Sequence, residues 1–156
     1  MNKKQILRKI IREEIKKVIT EGTRALVGVE APNGKVTVFY THYDGYPQHT
    51  GKMLKKHYSN SGIVKKLMAL GKHGVSFLDK SIKGGPDHSF KDPKKGETIF
   101  YGRDRGENDR MTFSFRDREK ADFDWGTEYM YIWNMKEKKW YYKSAHSNPR
   151  DWTELK

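Results

Sequence analysis

The chain has 156 residues, a net charge of +12 at neutral pH and no cysteine. Those figures exclude disulfides, a thiolate nucleophile and Cys-type zinc sites, and they bound the protein to one modest core. Hydrophobic residues make up only 35% and aromatics 13%, so that core has to be built from Tyr, Phe and Trp rather than from Leu and Val. No apolar run approaches the roughly 20 residues needed to span a bilayer.

In chain order, the first 22 residues, MNKKQILRKIIREEIKKVITEG, read as a basic amphipathic helix. Ile6, Leu7, Ile10, Ile11, Ile15, Val18 and Ile19 recur at spacings of three and four and share one face. Seven Lys or Arg and three Glu within residues 1–21 supply +4 of the net charge. Gly22 is a helix stop, and the pattern changes behind it. The expectation is a separate segment, 1–21, followed by a single domain over 22–156. The segment lacks the uninterrupted apolar stretch of a secretory signal, and Glu13, Glu14 and Glu21 argue against a mitochondrial presequence.

Ala25–Glu30 and Lys35–Tyr40 are β-rich runs, and Asn33-Gly34 between them is a hairpin-turn signal. Thr41-His42-Tyr43-Asp44-Gly45-Tyr46-Pro47 then breaks the strand. Two helical patterns follow. His49–Ser59 turns Met53, Leu54 and His57 or Tyr58 inward, and Ser61–Leu70 turns Ile63, Val64, Leu67 and Met68 inward, with Ser61 as N-cap and Gly71 as stop. A short strand or turn surrounds Val75 and Phe77. Residues 81–96 read as a long polar surface loop. Glu97–Tyr101 reads as a strand, Gly102–Arg110 as a charged loop, and Met111–Phe115 as a further strand. Glu128–Asn134 and Lys139–Lys143 form a second, aromatic hairpin, and Ser144 begins a tail carrying Trp152. Helices clustered between strand pairs predict an α+β fold, an antiparallel sheet with a pair of helices packed on one face.

Two places suggest a site. His42, Asp44 and Tyr46 form a polar corner behind a strand. It is either a structural turn or, with the backbone N–H groups of Gln48–Gly51, the edge of an anion site. Arg103-Asp104-Arg105-Gly106-Glu107 offers two guanidiniums that can clamp a phosphate or carboxylate, with Asp104 and Glu107 orienting them; its alternative is a solvated loop of weak ion pairs. Convergence of the two would create a pocket for a nucleotide-like anion. The aromatic hairpin could stack Tyr129, Tyr131, Trp133, Trp140 and Tyr142 on single-stranded bases, with Lys138, Lys139 and Lys143 on phosphates, but these residues are better used as core. The histidines are scattered without metal-ligand spacing, and neither a catalytic triad nor a phosphate-binding loop is present in the sequence. No metal, no cofactor and no assigned catalytic residue is therefore expected. The positive charge favours nucleic acid, acidic protein surfaces or anionic lipid, or is only a lysine-rich soluble surface.

The first segment resembles the capsid-targeting sequences of tailed phages of the T-even type. In those, a prohead protease cuts after a Leu/Ile-x-Glu tripeptide and before a small residue; here Ile19-Thr20-Glu21 precedes Gly22. The resemblance implies packaging in the phage head, with prohead scaffold or core and protease as partners, cleavage after Glu21, and ejection into the host cytoplasm. The body, over roughly residues 24–143, resembles a family of small phage and plasmid proteins with a His-Trp-Asp-Gly-Tyr-Pro signature. Here His42-Tyr43-Asp44-Gly45-Tyr46-Pro47, Gly51, Leu54, His57-Tyr58, Tyr101-Gly102-Arg103-Asp104-Arg105-Gly106-Glu107 and the aromatic hairpin follow in the same order, with Tyr43 where the family usually has Trp. That resemblance implies a phage origin and a common fold, and it carries over no catalytic residue. The expected role is a phage accessory protein that binds and blocks a host component, such as a defence or nuclease system, with non-specific DNA contact inside the head. The alternatives are a nucleotide- or phosphate-binding protein or enzyme, and a basic nucleic-acid-binding protein.

Overall fold

The computed structural model describes residues 2–6 and 23–156. Residues 3–6 are helical, and Asn2 and Gln5 exchange side-chain-to-backbone hydrogen bonds of 2.8 and 3.1 Å, a capping box. The rest of the expected amphipathic helix, and the Ile19-Thr20-Glu21-Gly22 junction, lie outside the described residues.

The body is α+β. Strands β1 (Ala25–Glu30) and β2 (Val36–Tyr43) form the hairpin predicted around Asn33-Gly34, with Gly34 at φ +91°. A π-helical turn (Pro47–Gly51) leads into α1 (Lys52–His57), and α2 (Ser61–Gly71) follows. The N-cap of α2 is Asn60, not Ser61: its carboxamide oxygen accepts the Ile63 N–H at 2.8 Å. Then come β3 (Val75–Phe77), β4 (Ile99–Phe100), α3 (Tyr101–Arg105), β5 (Thr112–Phe115), β6 (Tyr129–Asn134), β7 (Lys139–Ser144) and β8 (Thr153–Glu154). The stretch read as a charged loop after Gly102 thus begins as a helical turn, closed by Gly106 at φ +77°. The expected tail returns to the sheet as β8, pairing with β7.

The sheet runs β4-β3-β2-β1-β6-β7-β8, with β5 also on β2. It is mixed rather than wholly antiparallel, because β1 pairs parallel with β6 and β2 parallel with β3. Strand β2 divides its outer edge: Val36–Phe39 takes β5, while Thr41 and Tyr43 take β3. Its last residues therefore emerge between two different neighbours, which sets up the candidate site.

Alternation along the strands gives two cores. On the face carrying the helices, Ala25, Val27, Phe39, Tyr131, Trp133 and Trp140 pack with Leu54, Tyr58, Val64 and Leu67. Gly71 lets α2 close on Phe39, since a Cβ there would stand 2.9 Å from the ring. On the opposite face Leu26, Val36, Val38, Met130 and Ile132 are covered by residues of the 111–126 stretch and by Trp152. The Trp152 indole donates to the Arg118 carbonyl at 3.1 Å, so it is docked. Buried Glu30 beneath this layer accepts from Arg118 and Asn134.

Candidate functional site

The aromatic hairpin is core. Tyr131, Trp133 and Trp140 are buried, and each polar handle is satisfied: Tyr131 Oη donates to the Gly45 carbonyl at 2.7 Å, Trp133 Nε1 to Ser61 Oγ at 3.0 Å, and Trp140 Nε1 to the Tyr58 carbonyl at 3.1 Å. Lys143 is buried as well, its ammonium donating to the Ala121 carbonyl at 2.8 Å. These groups are not displayed to bases or phosphates.

The corner after β2 is mostly a fastening. Asp44 takes a left-handed conformation, φ +53°, and its carbonyl accepts Thr50 Oγ1 at 2.8 Å. Gly45 N donates to the Thr23 carbonyl at 2.9 Å, and a Cβ on Gly45 would stand 2.8 Å from the Ala25 side chain. Burial, then the charge of Asp44 and a hydrogen bond to it, raise the Tyr46 hydroxyl above its ordinary pKa. The backbone N–H groups of His49 and Thr50 go to the Tyr46 carbonyl, so the anion cradle expected at Gln48–Gly51 has two of its donors already used. His42 differs in direction: its Nδ1 lies 2.6 Å from Tyr40 Oη, and its ring meets Tyr43 edge-on at 4.4 Å.

The second cluster divides by residue. Arg103 is occupied at every nitrogen. Nε and Nη2 donate to Asp104, Nη1 to the Ile82 carbonyl at 2.6 Å and Nη2 to the Thr98 carbonyl at 3.1 Å, while its plane lies over Phe100. Asp104 also accepts from Phe100 N at 2.8 Å and from His88 Nε2 at 3.0 Å. Burial alone would raise the Asp104 carboxyl; the Arg103, Phe100 and His88 donors outweigh it and hold the group below its ordinary value. Arg103 and Asp104 therefore fasten the polar loop 81–98 to the sheet edge. Arg105 does something else. Its guanidinium lies 4.6 Å from the Tyr101 ring centroid and 4.7 Å from that of Phe90, and Nε donates to Glu107 at 2.9 Å with about half the side chain exposed.

Arg105 and Glu107 open onto a cavity of about 210 Å³, whose other walls include Tyr40, His73, Tyr101 and Asp109. The corner reaches this cavity through Tyr40, the partner of His42; Asp44, Tyr46, Arg103 and Asp104 are not part of its lining. His73 is set by a 2.9 Å bond to the Asp109 carbonyl, which requires the proton on Nδ1, and Gly102 leaves room for its ring. Burial raises the Tyr40 and Tyr101 hydroxyls above their ordinary pKa, so both stay protonated donors near neutrality. Arg24 opposes the rise in each, Ser76 and Arg105 oppose it in Tyr101, and Tyr43 reinforces it. Arg24 Nε is buried and has no hydrogen-bond partner. The recess is thus walled by one guanidinium, that of Arg105, two phenols and His73, with the acidic residues Glu107 and Asp109 at its rim; the guanidinium is the group there that suits phosphate or carboxylate oxygens. Among the described residues no group of three metal-ligating side chains gathers, and no helix is long and apolar enough to cross a membrane.

Sequence reading named Arg105, Glu107 and the His42 corner as site residues, but missed Tyr40, His73, Tyr101 and Asp109. Tyr40 could have been found, since it shares a strand face with His42 two residues on. Comparison with protein-family models, curated proteins and solved structures finds no match to this chain.

Proposed function

We propose that this protein works by binding an anionic, phosphate-bearing ligand in the Tyr40–Tyr101–Arg105 cavity. The observation that carries the reading is the Arg105 guanidinium, about half exposed on the cavity wall and held against the Tyr101 and Phe90 rings. A planar guanidinium fixed at the mouth of a recess is the group that takes a phosphate by paired hydrogen bonds. The test is thermal denaturation of the full chain in rising pyrophosphate, with sodium sulfate at matched ionic strength as control. A saturable rise in Tm, lost in Arg105→Ala, is the expected result. No rise beyond the sulfate control sinks the reading.

The biological setting that fits best is a phage accessory protein that binds and blocks a host component such as a defence or nuclease system. It is packaged in the head through residues 1–21 and released into the host cytoplasm. The supporting observation is charge: residues 1–21 supply +4 of the net +12, so the rest of the chain keeps a positive charge that suits packaged DNA. Mass spectrometry of purified virions decides it: a chain starting at Gly22 is expected, and absence from well-covered particles removes the packaging role while leaving the ligand site standing.

A further inference from the structure

We infer that the ligand is a nucleotide, with its phosphate in the Tyr101–Arg105 cavity and its base stacked on Trp125. This rests on the anion reading above and goes one step further. Trp125 and Ile6 are the exposed large hydrophobic residues among those described, and Trp125 keeps 43% of its surface open. A single exposed indole is ordinary on a protein surface; what sets this one apart is how it is held. Its backbone lies in the left-handed region, φ +55°, where a bulky residue is an outlier. The turn is built to keep it there: Asp124 Oδ1 accepts the Trp125 N–H at 2.8 Å, and the Asp124 carbonyl accepts Thr127 Oγ1 at 2.7 Å.

The indole is buttressed without being covered. It meets Phe113 at 4.4 Å and 74° and Tyr40 at 5.7 Å and 70°, and among the described residues no ring lies parallel to it. The link to the anion cavity runs through Tyr40, which touches Trp125 on one side and lines the cavity on the other. Arg24 lies against the same turn, since a Cβ on Gly126 would stand 3.4 Å from Arg24 Nη1. Inorganic phosphate would use Arg105 and the phenols and leave the indole idle. A ligand with a flat ring joined to a phosphate uses both, and base–aromatic stacking tolerates any base.

The experiment titrates the full chain with ADP, GDP, pyrophosphate and a short single-stranded oligonucleotide, reading tryptophan emission and calorimetric affinity. Expected are quenching by both nucleotides but not by pyrophosphate, and nucleotide affinity about tenfold above that of pyrophosphate, the size of one stacking contact. Trp125→Ala should bring nucleotide affinity down to the pyrophosphate level, Trp125→Phe should keep most of it, and Arg105→Ala should weaken all three small ligands. Pyrophosphate binding with no gain from the base, or a nucleotide gain untouched by Trp125→Ala, overturns the stacking inference and spares the anion site. Failure of pyrophosphate and nucleotides alike overturns both. Tight, salt-sensitive binding of the oligonucleotide with no mononucleotide binding also overturns it, in favour of a nucleic-acid strand.

Discussion

The two faces of this sheet use the same residue types for opposite ends. On the helix face, Tyr131, Trp133 and Trp140 are buried and each hydroxyl or indole N–H has a fixed protein partner. At the end of β2 on the other face, Tyr40 and Tyr101 wall a recess with Arg105, and Trp125 stands exposed against Tyr40. Aromatic content cannot separate a core from a site in a chain so poor in Leu. Hydrogen-bond partners and exposure can, because a core closes its polar groups and a binding site leaves some for the ligand.

The sharpest contrast comes from truncation on the closed side. Trp140→Ala removes a fully buried ring from between β6, α1 and the Tyr58 carbonyl and should cost about 3–5 kcal/mol, a fall in Tm of roughly 10 °C or more by calorimetry. Next in size is Arg103→Ala. It frees the Ile82 and Thr98 carbonyls and leaves Asp104 without its guanidinium, so about 1–3 kcal/mol should be lost. Hydrogen exchange should quicken across residues 81–98, and no change outside the global transition would show that this loop is held by something else.

The two regions also differ in pH response. Tyr58, on the closed side, donates to the Asp79 carbonyl, and burial pushes its hydroxyl from 10.0 up to about 12. A raised folded value means its contribution is complete below pH 10 and fades as pH rises towards 12, so alkaline denaturation in that window should be blunted in Tyr58→Phe. Asp104 acts in the other direction. Its folded value lies below the ordinary carboxylate one, so its contribution is present above the unfolded pKa and is lost as pH falls through the lowered folded value. Asp104→Asn should flatten the acid limb of the stability profile; an unchanged limb would put acid sensitivity in other carboxylates.

Much of the fold was legible because local signals and tertiary demands agree. Asn33-Gly34 specifies its turn, the period of Ile63, Val64, Leu67 and Met68 specifies α2, and the alternation at 129–142 specifies a hairpin with one aromatic face. What was not legible depends on distant pairing. The parallel joins of β1 to β6 and β2 to β3 bring together residues 104 and 34 positions apart in sequence, respectively, and no local pattern encodes them. The site shares that history. Arg105 and Glu107 stood out as charges in a Gly-bearing loop, whereas Tyr40 and Tyr101 gain meaning only once β2 has split its edge between β3 and β5. Arg103 and Asp104 looked equivalent to their neighbours in sequence, and only the partners Ile82, Thr98 and His88 separate a fastening from a wall of the cavity.

The smallest stability effect should fall where the functional effect is largest. Arg105 pairs with Glu107 at half-exposed positions, and such pairs contribute about 0–1 kcal/mol, so Arg105→Ala should shift Tm by no more than a few degrees. Its guanidinium is nonetheless the arginine of the cavity wall, lying against Tyr101 and Phe90, and its loss should weaken pyrophosphate binding until no rise in Tm is seen. Trp140→Ala predicts the reverse pattern, a large fall in stability with ligand affinity kept by whatever fraction remains folded. If Arg105→Ala melted the protein as severely as Trp140→Ala, the recess would be a second core with a charged rim, and the distinction between the two faces would collapse.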